Sequence, residues 1–269
     1  MLSPGQIIDG KYRIERCLAE GGMGAVYLGQ NTRIGRQVAI KVLHGVLAKQ
    51  GVQVERFEQE AQLLARIGSQ YIVEVLDMGD LPSGDSYMVM EYLEGESLGE
   101  RLHRRKRLEP DEAVQIVEQA LTGLEAAHGA GVVHRDIKPD NLFLQRRPEG
   151  ELIKILDFGV SKLQLDTQDL RHSKLTLNGT LVGTPQYMSP EQARGHETDH
   201  HTDIFAMGIV LFECIAGETP FVGENMHDLL FKVALEEPRT LASLRPDVDP
   251  KLESIVRRAT ARSPDNRYA

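Results

Sequence analysis

Hydrophobic spacing changes character near residue 91, and that change limits the possible folds more than any other feature of the chain. Before it, Tyr12 and Ile14 alternate with polar neighbours and Val26–Leu28 follows a glycine cluster. Gln37–Leu43 reads as a third strand, reached through a hairpin at Asn31–Arg36. Period-two geometry sets Ala39 and Lys41 on one face of that strand. One helix is expected over Val52–Ile67, with Phe57, Glu60 and Leu64 on a common face. The apolar runs Ile72–Leu76 and Tyr87–Met90 are expected to complete a small sheet. Beyond Glu91 the apolar residues recur at helical intervals. Pro110–His128 carries Ala113, Ile116, Val117, Ala120, Leu121 and Leu124 on one stripe, with Pro110 in its first turn and Gly129 and Gly131 past its end. Asp203–Ala216 is apolar nearly all round, as a buried helix must be, and Leu252, Ile255, Val256 and Ala259 mark another helix. The expectation is an α+β chain of two lobes. A small β-rich lobe with one helix covers about residues 1–90, a link about 91–97, and a larger, mainly helical lobe about 98–269.

Composition excludes several classes of function. Lys and Arg number 31 against 40 Asp and Glu, a net charge of −9, which argues against a general nucleic-acid or anionic-membrane binder. Cys17 and Cys214 are too few for a disulfide framework or a cysteine-rich zinc site. Met1–Gly10 has no basic segment leading into an apolar core, so no secretory signal is read there. The longest apolar run, Ile204–Leu211 with Phe212, falls well short of the roughly 18 residues a membrane helix needs. A cytoplasmic protein with no membrane segment is expected.

The densest chemistry lies in His134-Arg135-Asp136-Ile137-Lys138-Pro139-Asp140-Asn141, followed by Asp157-Phe158-Gly159. Moving a phosphoryl group from a nucleotide to a hydroxyl needs a carboxylate to orient the hydroxyl, a cation beside the migrating group and oxygen ligands for a divalent metal. Asp136, Lys138, Asn141 and Asp157 supply that set.

Four other patterns read as structural. Gly5–Lys11 has the spacing of a nucleotide phosphate loop, but Tyr12 stands where a hydroxyl for the metal is needed, and a strand follows instead of a helix. His196, Asp199, His200, His201 and Asp203 have the composition of a metal cluster. Nothing in the period puts His196 and His200 on one face, so a solvated loop is expected. Arg101, Arg104, Arg105, Lys106 and Arg107 read as an exposed helix end, where cations favour the dipole. Asn178-Gly179-Thr180 matches a glycosylation sequon, irrelevant without a secretory route.

From Tyr12 to Tyr268 the chain resembles the protein kinase superfamily, and within it the bacterial serine/threonine kinases of eukaryotic (Hanks) type. Besides the two motifs above, the resemblance rests on Glu20-Gly21-Gly22-Met23-Gly24-Ala25-Val26-Tyr27, Val38-Ala39-Ile40-Lys41 and Gly183-Thr184-Pro185-Gln186-Tyr187-Met188-Ser189-Pro190-Glu191-Gln192. It implies a bilobal kinase fold, lacking the family's last helix, whose lobes converge on one nucleotide cleft. It also implies ATP with Mg²⁺ (or Mn²⁺) as cofactors and serine or threonine side chains of proteins as substrates.

The same resemblance assigns residues. Asp136 is the base, Lys138 the cation on the γ-phosphoryl, and Asn141 and Asp157 the metal ligands. Lys41 pairs with Glu60 and the phosphates, and Thr184 contacts Asp136 and Lys138 and favours a hydroxyl substrate. Ala19, Glu20, Gly21, Gly22, Met23 and Gly24 form the phosphate loop, with Ala19 standing where the pattern has its first glycine, a departure that bears on nucleotide affinity. Val26, Ala39 and Phe143 enclose the adenine, Met90 guards the back pocket, Glu91 and Leu93 form the hinge, and Ser97 follows it. Leu64, Val75, His134 and Phe158 match the family's stacked apolar column. Glu191 is expected to pair with Arg267, and Asp203 to brace the catalytic loop. Val160–Tyr187 is long and rich in hydroxyls, and autophosphorylation at Thr180 or Thr176 is expected, with Arg135 receiving the phosphate and self-association bringing two copies together. A signalling module that keeps the fold without catalysis is the competing reading.

Overall fold

The computed structural model describes residues 2–21, 24–43, 57–58, 61–158 and 185–269. The chain divides into two compact units, Met1–Gly95 and Glu96–Ala269.

The first unit is built on an antiparallel sheet of β1 (Ile7–Ile8), β2 (Tyr12–Gly21), β3 (Gly24–Asn31), β4 (Gln37–Leu43), β5 (Val75–Asp80) and β6 (Ser86–Glu91), in the order β1-β2-β3-β4-β6-β5. Its two faces sort by period. Ala25, Tyr27, Val38, Ile40, Val42, Tyr87 and Val89 enter one apolar core. Leu43 and Met88 face the other way, where Phe57 and Ala61 of the helical residues 57–58 and 61–64 cover them. Of the helix expected over Val52–Ile67, residues 52–56 and 59–60, Glu60 included, are outside the described residues, as are Gly22 and Met23 of the glycine loop. The helix ends earlier than its apolar period suggested, since 65–66 form a turn.

One strand lies elsewhere than its apolar run suggested. β5 covers Val75–Asp80 rather than Ile72–Leu76, with Ile72 and Val73 buried ahead of it. At the sheet's edge a strand tolerates polar residues. Asp77 accepts from the Tyr12 hydroxyl at 3.0 Å and from Lys11 Nζ at 3.3 Å, so the polar half of the strand is anchored by partners distant in sequence. Lys11 also pairs with Asp9 at 2.9 Å, which fits the structural reading of Gly5–Lys11.

Gly24, nominated as a phosphate-loop residue, has a duty to the sheet as well. It opposes Leu43 across the β3–β4 ladder, and a Cβ there would be driven into the carbonyl oxygen of Val42. Gly24→Ala is therefore expected to destabilise the first unit by about 1–3 kcal/mol through forced overpacking. Urea unfolding followed by tyrosine fluorescence should show the fall in midpoint, and an unchanged midpoint would refute it.

The second unit opens within β7 (Gly95–Ser97), which joins the hairpin of β8 (Leu142–Arg147) and β9 (Gly150–Ile155) in a small sheet of order β7-β8-β9. Its helices are α1 (Leu98–Arg105), α2 (Pro110–Gly129), α3 (Pro190–Ala193), α4 (His201–Ala216), α5 (Met226–Leu235), α6 (Leu241–Leu244) and α7 (Pro250–Ala259). As its composition implied, α4 is the buried centre, and α2 and α7 pack against it. Gly208 permits that packing, since a Cβ there would meet Ala259 and Thr260 of the α7 end at under 3 Å.

The basic run at 101–107 is only partly the exposed helix end that the sequence suggested. Arg101 is buried at 8% exposure, with Nη1 donating to Glu151 at 2.7 Å and Nε to Glu96 at 2.9 Å. Arg104 adds a bond to Glu96 and Arg105 one to Glu112. Hydrogen bonding to these guanidinium groups holds Glu96 and Glu151 below the ordinary carboxylate range. A run of like charges is thus a network in which Arg101 ties α1 to the β8–β9 hairpin. No signal local to the run could have revealed acids so far along the chain.

Candidate active site

In the first unit, ladder register gathers the nominated residues on one face of the sheet. Ala19 opposes Val26, Val26 opposes Lys41, and Lys41 opposes Met88, while Ala39 opposes Met90. Directly opposed residues of an antiparallel pair project to the same side. Ala19, Val26, Ala39, Lys41 and Met90 therefore share the face opposite the Ile40–Tyr27 core. Glu91 lies beyond them at the end of β6, its carboxylate accepting from Glu74 N–H at 2.9 Å. Leu93 follows β6 without regular structure. Ser97 is the N-cap of α1: its hydroxyl accepts from Glu100 N–H while the Glu100 side chain accepts from Ser97 N–H. That cap gives Ser97 a structural task beside the one the sequence nominated.

The second unit holds the His134–Asn141 octet on one buried carboxylate. Asp203, fully buried on α4, accepts the His134 and Arg135 backbone N–H groups, both at 2.8 Å, on its two oxygens. His128 Nε2, from α2, donates to the same carboxylate at 2.8 Å. This confirms the bracing role expected of Asp203 and adds His128, for which the sequence carries no local signal. Gln192 was missed in the same way: its side-chain amide donates to Arg135 O at 2.9 Å.

His134 shows how burial sets protonation. Its Nε2 lies 2.9 Å from the Leu156 carbonyl, which can only accept, so Nε2 carries the hydrogen. Nδ1 then presents its lone pair to the Asp136 N–H at 3.2 Å. Burial drives this imidazole below the ordinary histidine range, and the neutral ring suits both bonds. It packs against Phe158 in a tilted arrangement with ring centroids 4.5 Å apart, joining the octet to the Asp157-Phe158 segment. Leu64 and Val75 lie in the first unit, Leu64 fully buried and Val75 packed beside Met88.

Around Asp136 the nominated groups converge. Lys138 Nζ lies 3.5 Å from Asp136 Oδ2, and Asn141 Nδ2 donates to Asp136 O at 2.8 Å and approaches Oδ2 at 3.4 Å. With its nitrogen so committed, Oδ1 is the Asn141 amide atom with the chemistry to ligate a hard cation. The Asn141 carbonyl accepts from Leu156 N–H at 2.9 Å, which draws Asp157 toward the octet. Two non-glycine residues here adopt the left-handed region, Arg135 at φ 63° and Asp157 at φ 47°. Such conformations cost about 1–3 kcal/mol each and persist where surrounding bonds over-determine them. For Arg135 those bonds are Asp203 on its N–H and Gln192 on its carbonyl.

Phe143 lies on β8, half-buried. Residues 159–184, with Thr176, Thr180, Thr184 and the sequon, are outside the description. The segment resumes at Pro185, and Tyr187 donates its hydroxyl to Glu213 at 2.7 Å. Burial pushes that carboxyl up. Ser189 caps α3, and Glu191 pairs with Arg267 through bonds of 2.7 and 2.8 Å, confirming the expected bridge.

Removing the Asp203 carboxylate would leave two buried backbone N–H groups unsatisfied, at about 1–3 kcal/mol each. Asp203→Ala is expected to lower the second unit's urea midpoint accordingly and to speed amide exchange at His134 and Arg135. Exchange at wild-type rates in that variant would show that the bracing is dispensable.

Comparison with known proteins places this geometry. The sequence pattern of the protein kinase domain family matches residues 12–269. The chain is 38% identical to the serine/threonine-protein kinase pkn3 of Myxococcus xanthus, over 98% of its own length and 49% of that protein. It is 40% identical to Pkn1 of the same organism, over 97% and 36%, and 35% identical to PknB of Mycolicibacterium smegmatis, over 100% and 42%. It thus spans about half, or less, of the curated relatives it matches. The kinase domain of Mycobacterium tuberculosis PknI is similar in structure, with a TM-score of 0.76 at 27% identity, covering all of this chain and 94% of that one.

Proposed function

This chain belongs to the protein kinase domain family, among the bacterial serine/threonine kinases of Hanks type, and from that premise we propose that it transfers the γ-phosphoryl group of ATP to serine and threonine hydroxyls of proteins. The observation that carries the proposal is the Asp136 carboxylate beside Lys138 Nζ and the Asn141 amide, on a loop anchored by Asp203. A carboxylate so placed orients the substrate hydroxyl and takes its proton, while the ammonium neutralises the phosphoryl oxygens.

The family uses ATP and a divalent metal. We assign the metal, as Mg²⁺ or Mn²⁺, to Asn141 Oδ1 and the Asp157 carboxylate, hard oxygen donors suited to a hard cation. When bound, the ion neutralises phosphate charge. Lys41 with Glu60 is assigned to the phosphates, as are Ala19–Gly24. Val26, Ala39, Met90, Glu91, Leu93, Ser97 and Phe143 are assigned to the nucleoside. Thr184 is assigned to hydroxyl selection. The lobes we assign are about 1–90 and 98–269, joined by a hinge of about 91–97.

Incubation with labelled ATP, Mg²⁺ and a generic protein substrate should label serine and threonine. A chain that binds nucleotide yet transfers no label would be a signalling module instead.

Regulation follows from Arg135. Its Nη2 makes one long bond, 3.4 Å to Thr198 O, and its buried Nε has no partner among the described residues. A guanidinium held so near the base suits bidentate capture of a phosphate. Autophosphorylation at Thr180 or Thr176, by one copy acting on another, would supply it. Mass spectrometry of active protein should find one of these threonines modified, and activity with both unmodified would overturn this assignment. No described helix is long and apolar enough to cross a membrane. We place the activity in the cytoplasm, where ATP and reduced thiols are available.

A further inference from the structure

We propose that Asp199, His200 and His201 form a binding site for a divalent transition ion of the Zn²⁺, Co²⁺ or Ni²⁺ class, at the entrance to the helix that carries Asp203. The sequence suggested only a solvated loop here, because His196 and His200 share no face. The structure brings together a different trio: one ligand atom from each of Asp199, His200 and His201 lies within 4.8 Å of the other two.

Asp199 is held in place before any ion arrives, since its Oδ1 accepts the His201 backbone N–H at 3.0 Å as α4 begins. Its two carboxylate oxygens lie 3.0 and 3.1 Å from His201 Nδ1. Ligands about 2.0–2.1 Å from one tetrahedral ion sit roughly 3.3 Å apart, so this pair needs only a few tenths of an ångström to admit one. The ion takes the position of the hydrogen now shared between the nitrogen and the carboxylate. A neutral imidazole then carries its hydrogen on Nε2, and a protonated one releases a proton to solvent. The His200 ring centroid is 4.1 Å from that of His201, and its ligand atom already lies within 4.8 Å of the other two, so the third ligand stands beside the pair.

Two imidazoles with one carboxylate select a borderline transition ion over Mg²⁺ or Ca²⁺, which prefer an all-oxygen shell. Asp199 is exposed and the histidines are half-buried, so water can complete the coordination. The neighbouring groups have other duties. His128, whose ring is 5.7 Å from that of His200, gives Nε2 to Asp203, and Asp203 holds the His134 and Arg135 amides. The site thus sits on the segment that positions the catalytic loop, outside the nucleotide and phosphoryl-transfer residues.

The test is a Co²⁺ titration of tag-free chain in excess Mg²⁺, followed by visible absorption, with Zn²⁺ calorimetry alongside. One equivalent of Co²⁺ should saturate an intense visible band that Zn²⁺ abolishes. His201→Ala, His200→Ala and Asp199→Asn should each weaken binding at least about tenfold, while His196→Ala leaves it unchanged. Circular dichroism establishes that each variant is folded. Should His201→Ala fail that check, the exposed Asp199→Asn and half-buried His200→Ala decide the matter. No saturable band, or equal affinity in the folded trio variants, would overturn the site.

Discussion

Asp136→Asn is expected to lower the rate of phosphoryl transfer by about 10²–10⁴-fold, the usual contribution of a positioned general base, while the chain stays folded. Asparagine keeps the shape and the polar contact to Asn141, so the loop has no reason to collapse. What is lost is the negative charge 3.5 Å from Lys138 Nζ and the capacity to accept the substrate's proton. Single-turnover transfer from labelled ATP should fall by that factor with nucleotide affinity little changed, because the side chain's work is concentrated in the transition state. Wild-type turnover in the variant would remove Asp136 from the mechanism. Asp157→Asn should also suppress transfer, but that loss should be partly offset at high Mg²⁺, since it weakens a metal ligand rather than a base.

The second large effect concerns stability. Arg267 is fully buried in its side chain, bonded to both Glu191 oxygens and to the carbonyls of Ala261, His201 and Arg262. Its guanidinium also lies 4.9 Å from the Phe205 ring centroid. Arg267→Met would strip a buried carboxylate of its charged partner and leave it neutral donors such as the Thr202 hydroxyl at 2.8 Å. Breaking a buried pair from one side costs about 3–5 kcal/mol. In a unit this size that is a fall on the order of 10 °C in melting temperature. Glu191→Gln together with Arg267→Met should recover part of the loss, because no unpaired charge then remains. A double variant as unstable as the sum of the two single ones would show that the two groups do not act as a pair.

The same pair sets an acid limit. Burial raises the Glu191 carboxyl, but the Arg267 guanidinium outweighs it and holds the group below the ordinary glutamate range. A carboxylate depressed on folding contributes its stability above its unfolded pKa, roughly 4.3, and loses it as pH falls toward the lower folded value. The wild-type chain should therefore weaken below about pH 4 more steeply than the double variant.

Much of this chain was readable in one dimension because the relevant physics is local. Alternation located β2, the glycine cluster and short apolar runs located β3, β4 and β6, and the all-round apolar character of α4 marked its burial before any contact was known. The octet was legible because the carboxylate, cation and amide proposed for phosphoryl transfer sit within a few residues of one another, with Asp157 one short hairpin away. Glu191 with Arg267 was expected only through resemblance, since 76 positions separate them and no spacing rule spans that distance.

Where the sequence misled, the deciding contact came from elsewhere in the chain. β5 was placed on its apolar run, but the ladder formed where Asp77 met Tyr12 and Lys11. Arg101 read as a surface cation because Glu151, fifty positions later, gives no sign of turning toward it. Gly24 keeps its assignment to the phosphates, but its second constraint, the Val42 carbonyl behind it, became visible only with the strands in register.

Sequence alone nominated the reacting groups and displayed the periodicity that builds their supports, since both are written in neighbouring residues. Tertiary structure alone decided how those groups are held: one Asp203 carboxylate, reached from α2, α4 and the octet, fixes the catalytic backbone in an otherwise costly conformation. Buried polar groups must find partners, and which partner lies within 3 Å is settled by packing rather than by order along the chain.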